Sequence, residues 1–135
     1  MRIIGLGNDL VDIRRIEKSL DRFNDKFMNR VFTDHEIEYC KSKGNSAANF
    51  AKRFAAKEAC SKALGTGFAQ GVYWKDMCVM NDELGKPYMK LSGGAFKRLE
   101  ELTPQGMRHQ IDLTITDEQT MAQAIVIISA LKSDE

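Results

Sequence analysis

Glu58 and Lys62 lie four residues apart in the stretch Asn49 to Phe68, NFAKRFAAKEACSKALGTGF. On a helix that spacing sets the two side chains next to each other. A carboxylate beside an ammonium group is a start for chemistry at a metal and a phosphate: the acid ligates a hard cation, and the amine supplies a positive point charge. The same pair is also a common surface contact, worth roughly 0.2–0.5 kcal/mol. A second acid, Asp9, follows the short apolar segment Arg2–Leu6, in which Gly5 and Gly7 permit close backbone approach. Asp9 reads equally well as a ligand or as the cap of the next helix. The run GLGND is no nucleotide fingerprint, because the third glycine and a following Gly-Lys are both missing.

The element that carries Glu58 and Lys62 is a helix rich in alanine, with Gly65 at its stop. Its charges do not gather on one side. At 100° per residue, Lys52, Arg53, Lys57, Glu58 and Lys62 spread round most of the circumference, so some of them point into protein. Before this helix, Ile13, Ile16, Leu20, Phe23 and Phe27 recur at threes and fours and predict a first helix over 11–27. Arg14, Lys18 and Arg22 form a basic column on it, with Arg15 at the edge, and suit an acidic partner surface. Thr33-Asp34-His35-Glu36 has capping-box spacing and predicts a second helix ending near Gly44; Ser46 can cap the central one. His35, in the first turn, reads as a surface residue. Gly65-Thr66-Gly67 forms a loop able to lie against a phosphate.

Past Gly71 the pattern changes to strands. Val72–Trp74 and Met77–Met80 read as short strands, Asp82 to Lys86 as a hairpin turn, and Pro87–Leu91 as the return. Ser92 caps a short helix through Phe96, Leu99 and Leu102. Ile111, Leu113 and Ile115 alternate with polar residues as in a half-buried strand, and the run Ala124 to Ile128 reads as a strand buried on both faces. These elements predict one α+β domain over 1–135, with N-terminal helices packed on an antiparallel sheet. A net charge of +1 provides no general field for nucleic acid. No run reaches transmembrane length, and the N-terminus lacks the pattern of a secretory leader, so a cytoplasmic setting is expected. Cys40, Cys60 and Cys78 are odd in number and widely spaced, and are expected as reduced thiols.

Three motifs together resemble the holo-[acyl-carrier-protein] synthase family of small 4′-phosphopantetheinyl transferases. They are Gly7-Asn8-Asp9-Leu10-Val11-Asp12-Ile13, then Arg53 to Ala63 (RFAAKEACSKA) with Gly65-Thr66-Gly67, and Asn81 to Pro87 (NDELGKP). The second is specific; the others gain weight from their order. The resemblance implies transfer of phosphopantetheine from coenzyme A to a serine of acyl carrier protein, in fatty acid biosynthesis, with release of adenosine 3′,5′-bisphosphate. It implies that Asp9 and Glu58 hold Mg²⁺, with Lys62 as a phosphate partner and Arg53 at another phosphate of coenzyme A. Gly65, Gly67, Lys86 and Thr116 would line the nucleotide or pantetheine path. Arg14, Lys18 and Arg22 would receive the acidic helix of the carrier protein. The attacking serine belongs to that partner, so Ser61 is read as packing, and its proton acceptor, Glu58 or a water, stays open. Some relatives carry a histidine at the end of the strand that holds Thr114 to Thr116; here Asp117 follows, and no histidine role is transferred. Such relatives are trimers with sites between subunits, which would cover the apolar C-terminal strand.

Overall fold

The computed structural model describes residues 1–135. In chain order the elements are β1 (Arg2–Asp12), α1 (Ile13–Phe23), α2 (Asp25–Val31), α3 (Asp34–Lys41), α4 (Ser46–Leu64), β2 (Met77–Asn81), β3 (Pro87–Leu91), α5 (Gly93–Leu102), β4 (Arg108–Glu118) and β5 (Met121–Leu131). The class is α+β, but the strands form two sheets, not one. An antiparallel sheet has the order β1-β5-β4, and β2 and β3 form a separate hairpin beside β4. No helix is long and apolar enough to cross a membrane.

α4 crosses the sheet over β1 and β5, and the contact is made by backbone. A Cβ added to Gly7 would stand 1.8 Å from the Ala59 carbonyl oxygen, and one added to Gly5 would stand 2.3 Å from that of Ala63. Two residues along the strand therefore correspond to one turn back along the helix. One further step on the same face brings Asp9 to the flank of α4 that carries Glu58 and Lys62. Ala51, Ala55, Ala56, Ala59 and Ala63 are buried, which lets neighbours approach α4 on several sides.

The charges distributed round α4 do point inward. Lys57 has no exposed side-chain surface; its Nζ lies 2.5 Å from Glu36 Oε1 and donates to the Val31 carbonyl at 2.7 Å. Glu36 accepts from the backbone of Thr33 at 2.9 Å and of Val79 at 2.8 Å. Both of its oxygens thus have partners, which an interior carboxylate requires. Burial pushes the Lys57 ammonium below its ordinary pKa, and Glu36 opposes that shift. This node ties the start of α3 and the edge of the hairpin to α4.

Several expectations need correction. β1 runs to Asp12, so Asp12 rather than Asp9 caps α1, accepting from the Arg14 amide at 2.9 Å. The helix expected over 11–27 breaks at Asn24, whose φ is +44°; asparagine tolerates that region better than most residues. Phe23 consequently leaves the core and stands 50% exposed. Asn45 rather than Ser46 precedes the first turn of α4, and Val72–Trp74 forms no strand. β5 is fully buried on one face only as far as Ile127, and on both faces from Ile128 to Leu131. Ala122, Ala124, Val126 and Ile128 face α4, while Gln123, Ile125 and Ile127 are half-exposed on the open side. The capping box at Thr33, the αL stop at Gly65 and the β2–β3 hairpin stand as expected. The three cysteines are free, with Cys40 and Cys60 buried and pushed up to about 12 by desolvation.

The close approach predicts that Gly7→Ala is costly. Overpacking against a backbone carbonyl should cost about 3 kcal/mol or more and lower Tm by about 10 °C or more. Gly44→Ala, with no atom within 4 Å of the added carbon, is the control and should stay within about 0.5 kcal/mol. Equal melting curves for parent and Gly7→Ala would contradict the contact.

Candidate active site

At the β1–α4 contact, Lys62 Nζ lies 3.1 Å from Asp9 Oδ1 and donates to the Asn8 carbonyl at 3.0 Å. Asn8 turns its side chain to the other face of the sheet, where its Oδ1 accepts from Gln123 Nε2 at 3.0 Å. Glu58 sits one turn before Lys62, half-buried. Burial, then the nearby Asp9 carboxylate, raises its pKa; Lys62 and Arg15 pull the other way. The two acids expected together are therefore close enough to repel. Ser61 is buried and its hydroxyl donates to the Glu58 carbonyl at 2.7 Å, so it is held as helix packing.

The donor set itself tests what ion would suit this site. No group of three or more His, Cys, Asp or Glu side chains forms a complete protein cage. Two carboxylates, each partly exposed to solvent, fit Mg²⁺ with its remaining positions filled by waters and phosphate oxygens, and are a poor set for zinc. A divalent cation would also relieve the repulsion that disfavours ionised Glu58 beside Asp9.

The other expected residues fall in separate places. Arg53 is buried in a cleft of about 240 Å³ that also includes Asn81, Gly85 and Pro87. Its Nη2 donates to Asn81 Oδ1 at 3.1 Å, its guanidinium lies 4.2 Å from the Tyr39 ring centroid, and its Nε has no partner. A buried donor without an acceptor carries a desolvation cost. Asp117, which follows Thr116, is 3.8 Å from Lys52 at the same cleft. Gly65 and Gly67 follow the end of α4 with φ of +83° and +59°. Lys86 and Thr116 make no side-chain hydrogen bond or ion pair with Asp9, Glu58 or Lys62; Thr116 is exposed opposite Gln123 on the open side of the sheet. His109 packs edge-on to Phe96, 5.7 Å between centroids.

The basic column lines a groove of about 450 Å³ with Asp12, Arg15 and the exposed Phe23. Arg14 is not free within it. Its Nη2 and Nε bind the two Asp12 oxygens at 2.6 and 3.0 Å, and this pairing lowers the Asp12 pKa to about 2. Arg15, Lys18 and Arg22 form the unpaired stripe, an i, i+3, i+7 set that sequence spacing contains but does not rank above Arg14. Arg15 also faces Phe54, 5.9 Å from its ring centroid, and is the cation that links the groove to Glu58. Arg98, not anticipated at all, donates through Nε to the Leu64 carbonyl at 2.9 Å, closing the end of α4 beside Gly65. It lies 34 residues from its acceptor, and no local pattern announces it.

The profile of the 4′-phosphopantetheinyl transferase superfamily matches residues 5–122. The chain belongs to this superfamily. Within it, a holo-[acyl-carrier-protein] synthase of Sinorhizobium fredii is 64% identical over 129 residues, covering 96% of this chain and 93% of its own. That of Parvibaculum lavamentivorans is 60% identical over 131 residues, covering 96% and 97%. The crystal structure of the Neisseria meningitidis synthase superposes with a TM-score of 0.82 at 35% identity, over 94% of this chain and 98% of that one. The Helicobacter pylori synthase, in complex with coenzyme A, gives 0.78 at 31% identity, over 92% and 99%. The chain is thus an enzyme of the holo-[acyl-carrier-protein] synthase family, a phosphopantetheinyl transferase.

Proposed function

We propose that the enzyme moves 4′-phosphopantetheine from coenzyme A to a serine hydroxyl of apo acyl carrier protein, for fatty acid biosynthesis in the cytoplasm. The observation that carries this reading is the convergence of Asp9, Glu58 and Lys62 where β1 meets α4. The serine oxygen forms a bond to the phosphorus bearing pantetheine as the diphosphate bridge breaks, and adenosine 3′,5′-bisphosphate leaves. Asp9 and Glu58 would hold Mg²⁺, which when bound neutralises the diphosphate and the charge growing on the leaving oxygen. Lys62, half-exposed, adds a point charge to the same diphosphate. The turn at Gly65 and Gly67 presents backbone to it, and Arg53, at the cleft beside Asn81 and Gly85, receives a further phosphate of the nucleotide.

Lys86 and Thr116 belong to the same path, but from a neighbouring subunit. Support comes from their separation from Lys62 and from the open sheet face, where Leu6 and Leu10 are 65% and 58% exposed beside Ile125 and Ile127. Closing that face in a trimer removes apolar surface from water and completes each site across a boundary. The carrier protein docks its acidic helix in the groove of Lys18, Arg22 and Arg15, with Arg14 contributing least because Asp12 holds it.

Apo carrier protein incubated with coenzyme A and Mg²⁺ should gain the mass of phosphopantetheine. Asp9→Asn and Glu58→Gln should melt near the parent and lose roughly 100-fold or more in kcat. A parent that binds coenzyme A but transfers nothing would make the chain a binding module; a variant at the parental rate would remove that residue. Lys18→Glu with Arg22→Glu should raise KM for the carrier at least about tenfold and flatten its salt dependence, with KM for coenzyme A within about twofold. An unchanged carrier KM rejects this dock. Sedimentation equilibrium should give a three-chain particle, and Leu6→Glu with Ile125→Glu should dissociate it and abolish turnover. A dissociated chain with full turnover would reject the shared site.

A further inference from the structure

The turn after α4 lacks regular structure to hold it. Its backbone passes through positive φ at Gly65, Gly67, Gln70 and Gly71. Gly67 returns one hydrogen bond to the Ser61 carbonyl at 3.1 Å, and Val72 one to Ala69 at 3.1 Å. Arg98 fixes its start through the Leu64 carbonyl and buried Val72 fixes its far end, so the backbone between them needs a side chain of its own to hold it. The single aromatic residue within it, Phe68, provides the anchor. Its ring stacks on Trp74 with centroids 3.7 Å apart and planes at 16°. Trp74 in turn stacks on Phe54, at 5.0 Å and 29°. Phe54 is 7% exposed and lies on α4 one turn before Glu58. The three rings thus return the free end of the loop to the helix that bears the carboxylate and the lysine.

We propose that Phe68 and Trp74 are positioning residues: their stack onto Phe54 holds the Gly65–Gly67 turn at a set distance from Glu58 and Lys62, so that the diphosphate is received without reordering the loop. This rests on the transferase reading given above. Neither ring touches reacting atoms; each acts through the backbone that follows α4. A preformed turn spares the ordering cost of binding, so loss of the stack should appear in substrate affinity rather than in the chemical step. Phe68 is half-buried, which lets its ring be changed without opening the core.

Phe68→Ala should raise KM for coenzyme A about 10-fold, while KM for the carrier protein stays within about twofold. Phe68→Leu, which keeps apolar bulk and loses the stacked ring, should behave in the same way, and Phe68→Tyr should restore the parental KM. Trp74 is the sole tryptophan of the chain, so its fluorescence reports the stack directly. Titration with adenosine 3′,5′-bisphosphate should show binding weakened about 10-fold in Phe68→Leu. If the parent transfers phosphopantetheine and the Phe68 variants melt lower with parental KM and parental nucleotide affinity, the stack is packing alone and the proposal is overturned. A parent that transfers nothing overturns the transferase reading, and this one with it.

Discussion

The structure depends on the absence of side chains between β1 and α4. Two glycines on one face of a strand meet two alanine carbonyls one helical turn apart, and no β-carbon fits in either place. That contact sets the height of the strand above the helix and its slide along it. Asp9, two residues beyond Gly7 on the same face, inherits both coordinates. An acid 49 positions earlier in the chain than Glu58 is thereby brought beside it by backbone sterics, with Lys62 bonded across the gap.

Charge on α4 follows from the same crowding. A helix surrounded by neighbours has no solvated side on which to collect its ions, so each charged residue needs a local solution. Lys57 meets a buried carboxylate and a carbonyl. Arg53 spreads over an aromatic ring and an amide, leaving one nitrogen unpaired. Lys52 reaches Asp117. Glu58 alone faces another acid, and only there does the environment hold the charged form at a disadvantage that a metal ion would remove. The interior pair organises the hairpin and α3 as support, while the unbalanced pair is the one the proposed function uses.

Much of this was legible in the residues. The capping box at Thr33, the glycine that ends α4, the turn before Pro87 and the alternation of Ile111, Leu113 and Ile115 are local signals, and each marks its element. The motif order and the spread of charge round α4 pointed to the site. What escaped was set by contacts remote in sequence. Val11 and Ile13 fit the periodicity of a helix, so the extension of β1 through Asp12 was hidden, and Asn24 is a weak breaker without its tertiary setting. Arg14 was put in the basic column and Arg15 only at its edge, a ranking the fold reverses by turning Arg15 toward Glu58 and binding Arg14 to Asp12. Glu36 looked like half of a cap; it is that, and it is also the counter-ion of Lys57.

The order of strands has a consequence for folding. β5 lies between β1 and β4 and is the last of the three in the chain, pairing with β1 from Arg2 to Asp12. Until β5 is in place, β1 and β4 lack their common neighbour, and α4 has only part of its platform to rest on. Helices and the β2–β3 hairpin can form early from local contacts, but the sheet must wait for its centre, as expected for pairings of long sequence separation. Until then the exposed strand edges are open to wrong partners, and the docking of β5 closes one edge of each neighbour at once.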